Sequence, residues 1–350
     1  MADAVIASRK PFYKELTAGR SYLWCACGRS KRQPFCDGRS HDGTGIEPVR
    51  YDCAVAGEEV LFCGCKQTAT PPFCDGAHSN LPGGYAEIEE ALDDLPWAAS
   101  DDAGVRLLDG RCYVIRASAT RPAAVPDWWT RTLVSTDMGA EHQSHYYAEL
   151  RAGRSPILAS PTGDVVLWVV EGRGEVEISG RRFAIAAETG VYVRAGEAFR
   201  FTVAGAAPLC VHVHACPAAP ALSELSDMPG NFDIDWPERL VAVDESQRHA
   251  MGPRYFQLLV DKRVGSTTAT QFIGHIPQSR AEMHRHLYEE ALIILSGNGV
   301  IWNDGARARV ATGDVIFFPR KHRHSLQCTA AEGMNVVGLI HPGDNPGINY

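Results

Sequence analysis

The sequence predicts a mainly β protein, with a small metal-bound module at the start followed by two β-barrels. Three observations predict it. A cysteine-rich loop occurs twice in the first 80 residues, the second copy 38 positions after the first, from Cys25 to Cys63. Beyond residue 100 the chain runs as short alternating segments broken by Gly, Asp and Pro, the pattern of strands and tight turns. Within that region, Leu133–Gly139 followed by Trp168–Gly174 resembles Leu259–Gly265 followed by Ile294–Gly299, and a duplicated barrel is the simplest explanation.

Composition narrows the function classes. A chain of 350 residues suits two or three domains, and 45% apolar with 22% charged residues is ordinary for globular protein. The formal charge of −8 leaves no basic stripe to follow phosphates, so nucleic acid is not an expected partner. The opening MADAVIASRKPFYKEL lacks the charged-then-apolar layout of a secretion signal. No later run approaches the roughly 18 apolar residues that span a bilayer. A cytoplasmic protein without a membrane partner is expected. Six of the eleven cysteines fall in the two loops. Cys53, Cys112, Cys210, Cys216 and Cys328 read as small buried apolar side chains.

The first loop holds Cys25, Cys27, Ser30, Pro34, Cys36, Asp37, Gly38 and His41; the second holds Cys63, Cys65, Thr68, Pro72, Cys74, Asp75, Gly76 and His78. Three thiolates and an imidazole suit either zinc or an iron–sulfur cluster, and spacing alone does not separate them. Zinc ribbons usually pair two C-x-x-C knuckles, whereas this chain has C-x-C. The pattern C-x-C-x(2)-[S/T]-x(3)-P-x-C-D-G-x-H resembles the CDGSH (mitoNEET-like) family, and the second loop matches it at every position. The resemblance implies a [2Fe–2S] cluster held by Cys63, Cys65, Cys74 and His78, and another held by Cys25, Cys27, Cys36 and His41. The first loop carries one inserted residue before its histidine. Family members with two motifs resemble a homodimer folded into one chain, with strands such as Tyr22–Trp24 and Val60–Phe62 leading into each loop. Residues 1–80 are therefore expected to form a tandem iron–sulfur domain. Residues 81–100, acidic and bounded by Pro and Gly, read as a linker with a helical turn or two.

The barrels are expected at 101–218 and 219–350. Asp109–Gly110 marks a hairpin turn in the first. The second contains His284, His286 and Glu290, then Gly297, Gly313, Pro319 and His324. Residues two apart on a strand share a face, so His284 and His286 point the same way. These segments resemble the two motifs of the cupin superfamily, departing at Lys321, where the family prefers Gly, and at Cys328, where it prefers Asn. The resemblance implies a jelly-roll-like barrel with a metal on His284, His286, Glu290 and His324. His322 reads as a rim or surface residue. The first barrel has Ile157–Gly163 where ligands would lie and Phe199 where the fourth histidine would lie. It is expected to be structural, a packing or oligomerisation partner, with pairing of two chains through the barrels compatible. His142 with His145, and His212 with His214, read as packed or exposed histidines, since no acidic ligand follows them at suitable spacing. Gln271, Ile273, His275, Tyr255 and Trp302 read equally as pocket lining or core packing.

Imidazole and carboxylate ligands accept Fe(II), Mn(II), Ni(II) or Zn(II). Redox clusters in the same chain favour Fe(II), since a zinc isomerase has no use for electrons. The expected function is a non-haem iron oxygenase or oxidase acting on a small organic molecule and O2. Its two [2Fe–2S] clusters would be reduced by an external donor such as a reductase or ferredoxin. Glu290 either ligates or serves as the catalytic base. The alternatives are a metal-dependent decarboxylase, isomerase or lyase with regulatory clusters, and a redox or iron sensor with a ligand-binding cupin.

Overall fold

A computed structural model describes residues 3–82 and 94–350. The helical turns expected in the linker fall mainly on 83–93, outside the described residues. Elsewhere the chain is built of strands, and among the described residues the helical elements are four short 3-10 turns.

The N-terminal module folds by exchange between its two repeats. Phe12–Glu15 pairs antiparallel with Glu59–Phe62, and Ser21–Trp24 pairs with Val49–Asp52. Each strand that enters a cysteine loop is thus completed by a strand of the other repeat, as the resemblance to a folded-up dimer implies. Leu16, Trp24, Val60 and Phe62 fill the space between the sheets, with Phe62 stacked on Phe73 and edge-on to Phe35. So small a core is apolar where the two loops meet, and both loops hang from it.

The remainder forms two barrels. The first is a six-stranded sheet facing a five-stranded one, with Val165, Leu167, Phe199, Phe201 and Val213 among the side chains closing its interior. The second is an eight-stranded sheet facing a four-stranded one. Strand Glu289–Ser296 shows how they fit together: Leu292 and Ile294 point into the second barrel, whereas Ala291 and Ile293 pack between the barrels beside Trp168, Leu259 and Phe317. A strand covered on both faces loses the in–out alternation of a half-exposed one.

The boundary expected between 218 and 219 is corrected by the strand pairing. Tyr113–Arg116 pairs with Asp314–Phe318 of the second barrel, and Val105–Leu107 adds outside it. In the other direction, Ser223–Leu225 pairs with Ile157–Ala159, and Leu240–Ala242 with Thr189–Val193. Each barrel is finished by strands from the far side of the other, which covers edges that would otherwise expose unpaired backbone. Alternation in a sequence reports which face is buried and not which neighbour supplies the hydrogen bonds.

The module sits against the second barrel through specific contacts. Lys10 reaches Glu282 at 2.6 Å, Glu59 meets Arg320 at 3.3 Å, and Asn80 bonds Ala250 O and Gly252 N at 3.0 Å each. Segment 344–350 lies between them: Asn345 donates to Asp75 O at 2.9 Å, Tyr350 stacks on Tyr13, and Ile348 packs on Leu61 and Cys74.

Candidate metal centres

In the second loop, Cys63 Sγ and Cys65 Sγ are 3.5 Å apart, and Cys74 Sγ is 3.4 Å from His78 Nδ1. The first loop repeats this with 3.7 Å between Cys25 and Cys27 and 3.3 Å between Cys36 and His41 Nδ1. The inserted residue is absorbed, and His41 still arrives beside Cys36. The remaining motif residues hold the loops: Ser30 Oγ donates to Phe35 O at 2.6 Å and Thr68 Oγ1 to Phe73 O at 2.7 Å. Asp37 accepts the amides of Lys31 and Ser40, as Asp75 accepts those of Ala69 and Ala77.

The electrostatics fit a bound cluster. Burial pushes the Cys65 thiol up to about 11 and the Cys74 thiol to about 12, so neither becomes a thiolate unless a cation takes the place of its proton. Burial also holds His78 below its ordinary value, which keeps the imidazole neutral and able to ligate. The two loops differ in surroundings. Cys74 and His78 are buried, at 8% and 4% exposure, whereas the His41 side chain is 18% exposed. Between them Trp24 Nε1 donates to Cys63 O at 3.0 Å, and the buried Lys66 amine donates to the same oxygen while lying over the Trp24 ring.

In the second barrel, His284 and His324 exchange reciprocal backbone hydrogen bonds of 3.0 and 3.1 Å. Their rings lie 4.7 Å apart, and the His286 ring lies 4.8 Å from that of His324. All three imidazoles are oriented the same way: Nδ1 of His284, His286 and His324 bonds the carbonyls of Glu282, Tyr288 and His322 at 2.9 Å each. That bond places the proton on Nδ1 and leaves an Nε2 lone pair for a metal. Burial drives His284 down to about 3 and His324 well below its ordinary value, so both are neutral. Tyr288 stacks on His286 at 4.1 Å and Phe318 on His324 at 4.0 Å, which fixes the ring planes.

His286 Nε2 lies 3.1 Å from Glu290 Oε2 and has no hydrogen-bond donor facing it. With Nδ1 carrying the proton, these are two acceptors in contact, an arrangement that calls for a cation between them. Among the described residues the donors meet as pairs, and no group of three or more closes as an ion-holding set. The chemistry of the donors, three imidazoles and one carboxylate, fits a divalent transition metal.

A cavity of about 140 Å³ opens beside these residues. Phe256, Phe272, Leu292, Leu326 and Val336 wall it, His284, His286, Glu290 and His324 lie at one side, and Arg9, Lys10 and His78 of the module line the same space. Such a volume matches cavities that hold a benzene-sized molecule. Tyr255 and His275 line it, stacked on each other. Gln271, Ile273 and Trp302 do not; Ile273 packs between the barrels and Trp302 is buried elsewhere. His322 Nε2 pairs with Asp109, away from the cavity, so only its carbonyl serves the site. Phe199 is fully buried in the apolar interior of the first barrel. His145, His212 and His214 are packed in contact with one another and buried, and His142 packs against His341. The five cysteines outside the loops are buried. Sequence reasoning missed Tyr288 as the brace of His286, and it missed that His78 faces the cavity. Nothing in the local pattern marks either.

Both parts of the chain are similar to known proteins. Residues 275–339 match the cupin domain family. The human protein "CDGSH iron-sulfur domain-containing protein 3, mitochondrial" is 52% identical over 52 residues, 14% of this chain and 40% of that protein, and the mouse protein of the same name is 52% identical over 37% of its length. This chain thus spans well under half the length of these relatives. Among solved structures, protein YlbA from E. coli superposes with a TM-score of 0.51 at 16% identity, covering 71% of this chain and 95% of that one. A glyoxylate-induced protein from Pseudomonas aeruginosa gives 0.52 at 16% identity, covering 70% and 92%. The coconut allergen cocosin gives 0.54 at 11% identity, covering 67% and 86%. The chain joins a CDGSH iron–sulfur domain to a body of cupin fold. Among the described residues no helix is long and apolar enough to cross a membrane.

Proposed function

We propose that the chain is a mononuclear non-haem iron oxygenase or oxidase of a small organic molecule, with two [2Fe–2S] clusters as its internal electron source. One observation carries this reading: His78 of the second cysteine loop lines the same cavity as His284, His286, Glu290 and His324. Fused modules with unrelated tasks have no reason to share a wall.

Fe(II) held by the three imidazoles would offer open positions for O2 and substrate, and that chemistry draws on outside electrons. The chain's own residues prepare the site. Carbonyl-held Nδ1 protons keep the imidazoles in one tautomer, and the aromatic and aliphatic walls keep water away from the reacting centre. Glu290, 3.1 Å from His286 Nε2, either completes the ligand set or takes a proton from substrate. Trp24, hydrogen-bonded to the backbone of the second loop, connects the repeats, and Leu287 packs in the cluster that includes Cys74.

The test is oxygen uptake by protein prepared anaerobically, reduced, and given candidate substrates. His286→Ala should stop turnover while both clusters stay reducible. Cys27→Ser combined with Cys65→Ser should keep the barrel metal and stop any reaction that needs electrons. Full activity in the double cysteine variant, or equal turnover without oxygen, replaces this reading with a decarboxylase or lyase bearing regulatory clusters.

A further inference from the structure

The two cysteine loops are copies of one another, so each serves as the control for the other. Loop 25–41 carries Arg29, Lys31, Arg32 and Arg39 against the single carboxylate Asp37, a net charge of +3 in a chain of −8. At the equivalent positions, 38 residues on, loop 63–78 has Gln67, Ala69, Thr70 and Ala77. Its two charges, Lys66 and Asp75, cancel, and Lys66 is buried. All four cations of the first loop are exposed, and none takes part in an ion pair among the described residues. Asp37 is engaged by its own loop, while Asp42 and Glu47 lie beside His41 at 3.9 and 3.8 Å.

Two exposed apolar residues are tied to the backbone of this loop. Leu23 is 47% exposed, and its carbonyl accepts the Cys36 amide at 2.7 Å; Val5 is 48% exposed, and its amide donates to Cys27 O at 3.0 Å. Exposed apolar side chains next to a local excess of exposed cations match the composition of a transient protein interface with a partner of opposite sign. The second loop instead faces the cupin cavity and is covered by Asn345 and Ile348.

We infer that loop 25–41 with Val5 and Leu23 is the docking face for a small acidic one-electron carrier protein, which reduces the outward cluster first. The inference rests on the electron-supply reading above and gives it a direction: the basic loop, with His41 part-exposed, receives, and the loop whose Cys74 and His78 are buried faces the cavity. Each encounter oxidises the carrier by one electron and reduces one cluster by one electron, and no bond or proton changes place.

The probe is a reduced plant-type ferredoxin, and the readout is the rate of cluster bleaching in the full-length protein by stopped flow, which needs no substrate. The variant gives the first loop the second loop's residues: Arg29→Gln, Lys31→Ala, Arg32→Thr and Arg39→Ala. At low ionic strength it should accept electrons about tenfold or more slowly than wild type, on the scale of electrostatic steering, and the steep wild-type dependence on salt should flatten. Reduced methyl viologen, a small cation, should reduce both proteins equally. A second variant, Arg151→Gln, Arg154→Gln, Arg181→Gln and Arg182→Gln on the first barrel, removes the same charge elsewhere and should keep the wild-type rate. Equal ferredoxin rates in wild type and loop variant overturn the inference. So does an unchanged ferredoxin rate together with loss of binding to phosphatidylserine vesicles or polyuridylate, which would make the face a membrane or RNA site. Because bleaching is read without turnover, an inactive cupin leaves this test intact.

Discussion

Glu290→Gln separates a ligand from a base and should move the metal-free and metal-loaded proteins in opposite directions. In the metal-free protein, His286 Nε2 and Glu290 Oε2 face each other as acceptors at 3.1 Å. A glutamine presents an N–H at that position, turning the contact into a buried hydrogen bond with a net value of about 1 kcal/mol. The melting temperature of the metal-free barrels should therefore rise by roughly 2–4 °C. With metal the sign reverses. At a metal concentration about a hundred times the wild-type Kd, binding stabilises by about 2.7 kcal/mol, and a hundredfold weaker site leaves about 0.4 kcal/mol. Calorimetry of both forms, with and without Fe(II) under anaerobic conditions, measures the two shifts. A variant that melts lower without metal, yet keeps the whole metal-induced increment, would refute the ligand role and leave Glu290 as a base.

Iron and sulfide analysis of wild type should give about four cluster irons per chain, and Cys74→Ser should remove about half of the cluster absorbance; a colourless protein holding only zinc ends the cluster assignment. His78→Cys should retain its cluster in acid. Burial already holds His78 below its ordinary value, so it ligates as the neutral ring at neutral pH, and falling pH brings protons into competition for Nδ1, a competition the thiolate variant lacks. Absorbance followed from pH 7 to pH 5 checks this, and identical loss in both proteins rejects the ligand. Phe62→Ala, at a fully buried ring touching Phe35 and Phe73, should destabilise the module by about 3–5 kcal/mol and release both clusters together. Loss of one cluster alone would mean that the repeats do not share a core.

Legibility in the sequence followed the range of the interactions involved. The cysteine loops and the paired histidines are local constellations, and their spacing carried them. The strand exchange between barrels was invisible, because Val105–Leu107 and Tyr113–Arg116 read as an ordinary hairpin whichever sheet receives it. The cavity shared by His78 and His284 was equally invisible, since the two residues are brought together by segment 344–350 and by ion pairs across the interface. Lys321 shows how one departure from a motif acquires meaning only in three dimensions. It holds φ of 60°, the left-handed region that explains the family's glycine, and its amine pairs with Glu59 of the module. A position that suits glycine within the barrel alone serves as a contact once a second domain is attached.

The two duplications in this chain diverge differently. In the barrels, the first copy fills with Phe199 and Phe201 where the second keeps His324 and a cavity. In the module, both copies keep all four ligand types, and what diverges is their surroundings: one loop is basic with a part-exposed His41, the other is neutral with Cys74 and His78 buried and His78 turned toward the cavity. The relay proposed above needs both features: every ligand kept, and the surroundings sorted into an outer and an inner position. That relay also needs the inner loop beside the barrel that carries His284, His286, Glu290 and His324, and it is that barrel, through Glu282, Arg320 and Ala250, that the module touches.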